Sequence, residues 1–269
     1  MAFLAPGLLF MAALFLAPLA VVVGTSVTGD DGLTLAHFAE LVSRPLYHRV
    51  MLTTLEISAA ATALTLLIGY PAAYYLARQR PVVRAVLTIF VLLPFWTSIL
   101  VKSFAFAVVL GTNGLLNTFL REALGLGGLK LLFNRPGVII GMTHYLLPFM
   151  IFTVLASLVT QDPVYRRAAE IMGAGPWRIF RTITLPLSLP GVVAGLLLCL
   201  ILSLGMFVTP ALLGGRGDIM MSNLVDFHVR QTLDWGVASA LAVVLTAVTA
   251  VFTLLLARVR GGQFLGGAA

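Results

Sequence analysis

Charge is the scarcest property of this chain. Lys, Arg, Asp and Glu make up 10% of its 269 residues, against about 25% in soluble domains. Hydrophobic residues make up 60% and mean hydropathy is +1.04, which excludes an ordinary water-soluble domain. Cysteine occurs once, as Cys199, so an intrachain disulfide and a cysteine-built zinc site are both excluded. Lysine occurs only at Lys102 and Lys130, and neither follows the glycine pattern of a phosphate loop. The chain is not expected to hydrolyse ATP itself. His37, His48, His144 and His228 are scattered without H-E-x-x-H, and no G-x-S-x-G is present. An intramembrane protease is therefore unsupported, and neither a metal nor a cofactor of the chain's own is expected.

What fills the chain instead is a series of uncharged runs: Met1–Gly29, Ile57–Ala77, Pro136–Gln161, Thr182–Gly215 and Trp235–Ala257, with Ala85–Leu110 broken only by Lys102. About 20 apolar residues carry a helix across roughly 30 Å of hydrocarbon. The runs predict six transmembrane helices near 3–24, 53–77, 85–110, 138–160, 190–212 and 236–257. Too little chain remains for a soluble domain, so residues 1–269 read as one all-α integral membrane domain. The first run has no basic start and no small-residue cleavage site, so a membrane helix is expected there and not a secretory signal.

The charges that remain are placed asymmetrically. With the N-terminus inside, the inner segments carry Arg78, Arg80, Arg84, Arg166, Arg167, Arg178, Arg181, Arg258 and Arg260 against Asp162 and Glu170, a net +7. The outer loops carry seven basic and seven acidic residues, a net of zero. Basic residues are retained on the cytoplasmic side during insertion. Both termini and the 161–189 loop are thus expected in the cytoplasm. Topology accounts for the basic balance, and no nucleic-acid partner is implied.

Glycine and proline punctuate the spans. Gly125–Gly128 reads as a bend in an outer loop, Gly214–Gly217 as a turn or an anion-binding nest, and TLAHFAELV as a short amphipathic helix. The tetrapeptide LLPF occurs at Leu92–Phe95 and Leu146–Phe149, which puts a proline near the middle of the third and fourth spans. Proline removes a helical hydrogen bond and kinks the helix, and the freed carbonyls need partners or a wet cavity. Such kinks suit either a transport pathway or static packing.

Two ionisable side chains fall within apolar spans, Glu56 and Lys102. Each would cost about 2.5–3.5 kcal/mol facing lipid at a helix centre, so both are expected to face the bundle. Their expected depths differ by roughly 8 Å, within reach of an extended lysine. They read as an ion pair, as snorkelling groups, or as lining of a solute path, with Trp96, Tyr145 and Phe207 as candidate aromatic faces for a cation.

The segment QDPVYRRAAEIMGAGPWRIFRTITLPLSLP, Gln161–Pro190, holds six of the 27 charged residues (17 basic, 10 acidic). Asp162 and Pro163 form a helix start. Tyr165, Ala168, Ala169 and Met172 share one face, and the two alanines leave room for a close approach. Gly173 can end that helix in a left-handed conformation. Pro176 restarts one with Trp177, Phe180 and Ile183 along an apolar edge, while Arg178 and Arg181 face phosphates or a partner. Pro186 and Pro190 are expected to close the loop. On residue chemistry alone, an interfacial connector and a docking element both fit.

RAAEIMGAGPWRIFRTITLPL resembles the EAA loop of the inner-membrane permeases of binding-protein-dependent ABC importers. In that loop an E-A-A triplet is followed by a glycine four residues on, then by I-x-L-P. Ala168, Ala169, Gly173, Ile183, Leu185 and Pro186 match, and Arg167 occupies the place of the glutamate. FLAPLAVVVGTS, SRPLYHRVMLTTL, GYPAAYYLAR, LPFWTSILVKSFAF, YLLPFMIFTVLASL, TPALLGG and LDWG further resemble the spermidine/putrescine permeases. The resemblance implies a type I ABC importer transmembrane domain in a bacterial inner membrane. It implies half of a pathway for polyamines or a related small organic solute, completed by a second, identical or distinct permease. It also implies an extracytoplasmic solute-binding protein and a cytoplasmic ATPase dimer holding ATP and Mg. Arg167, Ala168, Ala169, Glu170, Gly173, Ala174 and Arg178 are the implied ATPase-coupling residues. The competing class is a stand-alone secondary carrier or channel, for which this loop has no use.

Overall fold

The structure, a computed structural model, describes residues 5–29, 32–125 and 129–265. Helix α1 (Ala5–Ser26) leads into a short antiparallel hairpin of β1 (Thr28–Gly29) and β2 (Gly32–Leu33). The amphipathic α2 (Ala36–Ser43) follows as expected, then α3 (Pro45–Ala77), α4 (Pro81–Leu92) and α5 (Ile99–Leu110). After α6 (Leu115–Leu124) come α7 (Arg135–Val159), the loop helices α8 (Pro163–Ile171) and α9 (Pro176–Ile179), and α10 (Leu185–Leu204). The last elements among the described residues are α11 (Val208–Leu213), α12 (Met221–Phe227) and α13 (Trp235–Leu265). Five stretches among the described residues have the length and apolarity to cross a membrane: Pro45–Ala77, Ile99–Ala123, Arg135–Val159, Pro176–Leu204 and Trp235–Leu254. α1 occupies the first expected span; residues 3 and 4 of that span lie outside the described residues.

The third span departs from expectation. Where one helix was expected over 85–110, α4 ends at Leu92, a 3-10 turn covers Leu93–Trp96, and α5 starts only at Ile99. α4 has 12 residues, about 18 Å of helix, too short to cross alone, while α5, also of 12 residues, reaches membrane length only together with α6, as Ile99–Ala123. Pro148 has the same LLPF context yet sits inside an unbroken α7. The difference lies downstream. Ser98 follows the first copy and caps α5, its Oγ accepting the Leu100 amide at 3.3 Å, while Thr97 Oγ1 donates to the Pro94 carbonyl at 2.8 Å. The residues after Pro148 are Phe149–Met150–Ile151–Phe152, which have no side chain able to cap a new helix.

α7 is the centre of the bundle. It packs on α3 and α10, which also touch each other, while α1 lies on α13. Val138, Met142, Leu146, Met150 and Val154 are all fully buried along it, a stripe at every fourth residue. Glycine permits this closeness. A Cβ on Gly191 would collide with Ser157 Cβ and meet the Thr153 carbonyl oxygen at 2.7 Å, and one on Gly195 would meet Met150 Sδ at 2.6 Å. Small residues let helix backbones approach where lipid supplies no hydrophobic drive. Gly191→Ala is expected to destabilise the purified protein by about 1–3 kcal/mol, seen as a lower unfolding temperature. Gly24→Ala, within α1 and with nothing within 4 Å, should not lower that temperature, since alanine favours the helix over glycine.

A second apolar cluster joins α2, the start of α3, α12 and the start of α13 through Leu41, Tyr47, Val50, Leu224, Val237 and Leu241. It closes the bundle at the end opposite the 161–184 loop. The Gly214–Gly217 cluster is a turn and not an open nest. Its Gly215 amide donates to Asp218 Oδ2 at 3.2 Å, so the anion there is the protein's own. Of the expected Gly125–Gly128 bend, Gly125 takes a left-handed φ of 62° at the end of α6, and residues 126–128 lie outside the described residues.

Candidate functional site

The 161–184 segment folds from its own residues. Asp162 Oδ1 accepts the Val164 amide at 2.8 Å, with Pro163 in the first turn. The helix ends in a Schellman arrangement: the Ala174 amide donates to the Ala169 carbonyl at 2.9 Å and the Gly173 amide to that of Glu170 at 3.0 Å. Closing this pair requires the left-handed φ of 77° that Gly173 adopts. The spacing from Ala169 to Gly173 and Ala174 is thus a helix-stop geometry.

That closure corrects one expectation. Ala169 is buried by its own chain, whereas Ala168, Tyr165 and Met172 are exposed. Only one of the two alanines is free to meet another surface. Arg167 is exposed and forms no ion pair among the described residues. Glu170 pairs with Arg166 at 2.8 Å, an exposed i,i+4 contact of about 0.3–0.5 kcal/mol. Arg178 is exposed, and its carbonyl accepts Thr182 Oγ1 at 2.7 Å. Ile171, Met172 and Trp177 stand 87%, 80% and 72% exposed. The segment therefore presents an uncovered apolar tip with arginines around it.

Its base is tied to the bundle. Phe180 meets Tyr70 and Tyr74 edge-on at 6.0 and 5.4 Å and stacks on Trp177 at 5.6 Å. Gln161 Nε2 donates to the Thr184 carbonyl at 3.1 Å, joining the two ends of the loop, and Tyr70 Oη lies 2.9 Å from Ser188 Oγ. Pro186 and Pro190 do not close the loop as expected. A π turn over Phe180–Thr184 joins α9 directly to α10. Its wider pitch accommodates the Pro186 ring, which in a regular helix collides with the carbonyl four residues back. From Pro176 to Leu204 the chain is one helical rod of 29 residues. Sequence reasoning missed Gln161, Tyr70 and Phe180 as ties, because their partners lie across the fold.

The five pathway candidates do not form one group. Tyr145 and Phe207 line a cavity of about 320 Å³ with Ile99, Ile201, Leu202 and Met206. Trp96 lies outside that cavity and is 70% exposed. Lys102 and Glu56 do not pair. Lys102 Nζ donates to the Pro94 carbonyl at 2.9 Å and lies 5.3 Å from the Tyr145 ring centre. That carbonyl also accepts the Thr97 amide at 3.3 Å and Thr97 Oγ1 at 2.8 Å, so the lysine adds a third, charged donor at the break. Glu56 is not three residues into its helix but eleven, since α3 begins at Pro45. It is 60% exposed and binds Arg135 Nη1 at 2.7 Å. Arg135 Nε also donates to Asp218 Oδ1 at 3.2 Å, so one guanidinium ties α3, the start of α7 and the turn before α12. Asn134 and Pro136 beside it mark a helix start, but no sequence signal named its two acids.

A family model described as the binding-protein-dependent transport system inner membrane component matches residues 50–261. The spermidine/putrescine transport system permease protein PotB of Escherichia coli (strain K12) is 33% identical over 248 residues, covering 88% of this chain and 89% of its own. The Haemophilus influenzae protein of that name is 35% identical over 219 residues, covering 81% and 76%. Molybdenum transport system permease protein ModB of Mycobacterium bovis is 30% identical, covering 81% of each chain. A chain in the crystal structure of a bacterial alginate ABC transporter with its pentasaccharide-bound periplasmic protein shares the fold, with TM-score 0.77, 22% identity and coverage of 95% and 91%. This chain belongs to the inner membrane components of binding-protein-dependent transport systems and is the permease subunit of an ABC importer.

Proposed function

We propose that the chain forms half of a polyamine translocation pathway and receives its driving force through the 161–189 loop. A second permease completes the pathway, a cytoplasmic ATPase dimer holding ATP and Mg grips α8, and an extracytoplasmic binding protein delivers the solute. The loop end and both termini face the cytoplasm, in keeping with the +7 carried by the inner segments. The observation that carries this reading is the rigid joint between the exposed tip and the bundle. The Schellman closure fixes α8 against α9, and α9 runs without a break into α10, one wall of the core. Displacing the tip must therefore tilt a membrane helix, since no flexible hinge intervenes.

The polyamine assignment draws on the names of the relatives at 33–35% identity. It is compatible with Lys102, whose charge is already engaged by a carbonyl and an aromatic face. The test is reconstitution into liposomes. This chain alone should show no spermidine flux, and uptake should require the second permease, the ATPase, ATP and a loaded binding protein. Flux from the single chain without ATP would establish the stand-alone carrier instead.

A further inference from the structure

At the loop end, a cleft of about 240 Å³ opens between the end of α3, the start of α4, the end of α7 and the start of α8. Its polar lining includes Arg78, Arg84, Arg166, Gln161 and Asp162. Asp162 spends one oxygen on the Val164 amide, Arg166 is paired with Glu170, and Arg78 lies 4.1 Å over the Tyr74 ring. Arg84 forms no ion pair among the described residues. With Arg166 neutralised by Glu170, Arg78 and Arg84 stand against Asp162, which leaves the cleft cationic by one charge. A second, apolar groove begins where the cleft ends and shares Arg84 and Val159 with it. It runs between α4 and α7 along Ala85, Ile89, Phe152, Leu155 and Ala156. From Pro81 to Ile89 its floor extends about 12 Å toward the membrane centre.

We infer that this paired cleft and groove hold one anionic glycerophospholipid, with its phosphate among Arg78, Arg84 and Arg166 and an acyl chain between α4 and α7. Charge complementarity selects the headgroup, since basic pockets between membrane helices on the cytoplasmic side bind acidic lipid heads. The apolar continuation selects a lipid over a free anion. The lipid would wedge the α3–α4 turn against the base of α8, next to the segment proposed above to receive the ATPase. The inference rests on that reading only for which leaflet supplies the lipid.

The assembled transporter, purified in mild detergent and stripped of lipid, is titrated with phosphatidylglycerol, phosphatidylcholine and glycerol 3-phosphate, and retained adducts are counted by native mass spectrometry. Phosphatidylglycerol should be retained well above the other two. Arg84→Gln should weaken its retention about fivefold and Arg78→Gln with Arg84→Gln about 25-fold, while Arg84→Lys should preserve it. Ala156→Trp should obstruct the groove and weaken the lipid without removing charge. Equal retention of phosphatidylcholine, equal retention of glycerol 3-phosphate, or indifference to Arg84→Gln would each overturn the lipid site. Those results leave ATP-driven uptake unaddressed, so the two proposals fail separately.

Discussion

Gly173→Val should leave the protein inserted at normal abundance and abolish ATP-coupled uptake. Open space surrounds the position, with nothing within 4 Å of a built Cβ, so the substitution acts through the backbone alone. A residue with Cβ pays about 1–2 kcal/mol in the left-handed region, and a β-branched one is a marked outlier there. The strain falls on two hydrogen bonds, from Ala174 to Ala169 and from Gly173 to Glu170. If they open, α8 loses its fixed angle to α9 while the membrane core, which Gly173 does not touch, is unaffected. Gly173→Asn should retain substantial uptake, because asparagine tolerates left-handed φ better than other residues with a side chain. Abundance, thermal stability and ATP-dependent spermidine uptake of both variants decide the matter. Full uptake by the valine variant would remove the loop from the coupling route.

What the amino-acid sequence disclosed, and what it withheld, follows from the range of the interactions. The Asp162–Pro163 helix start, the Gly173 stop and the Pro176 restart were all readable, because each is set by residues within one turn of itself. Membrane spans were readable as uncharged runs. The break at Pro94 and the continuity at Pro148 share a tetrapeptide, and only the capping groups after it separate them. Burial of Ala169 was missed because helical periodicity says nothing of α9 folding back over one alanine. The fates of Glu56 and Lys102 were missed for a longer-range reason. Their true partners are a side chain 79 residues away and a backbone carbonyl at a helix break, and charge pairing by expected depth detects neither.

Exchanging the two charges tests that last distinction most severely. Lys102→Glu should collapse both stability and uptake. The new carboxylate would face the Pro94 carbonyl and the negative face of Tyr145, where the ammonium now donates at 2.9 Å. Losing a hydrogen bond to a charged group costs about 1.5–3 kcal/mol, and the carboxylate is repelled where the ammonium was attracted. Glu56→Lys acts elsewhere: it sets two cations together at Arg135 and frees that guanidinium to rest on Asp218 alone. The pair is 60% exposed on the Glu56 side and 41% on the Arg135 side, so this variant should lose only about 0–1 kcal/mol. With no partner in common, the losses should add, and the double variant should be no better than Lys102→Glu to within about 0.5 kcal/mol. A double-mutant cycle on unfolding of the solubilised protein measures this directly. Rescue of stability or uptake by the exchange would mean that the two side chains do meet, and that Lys102 is not held at the break of the third span by the Pro94 carbonyl.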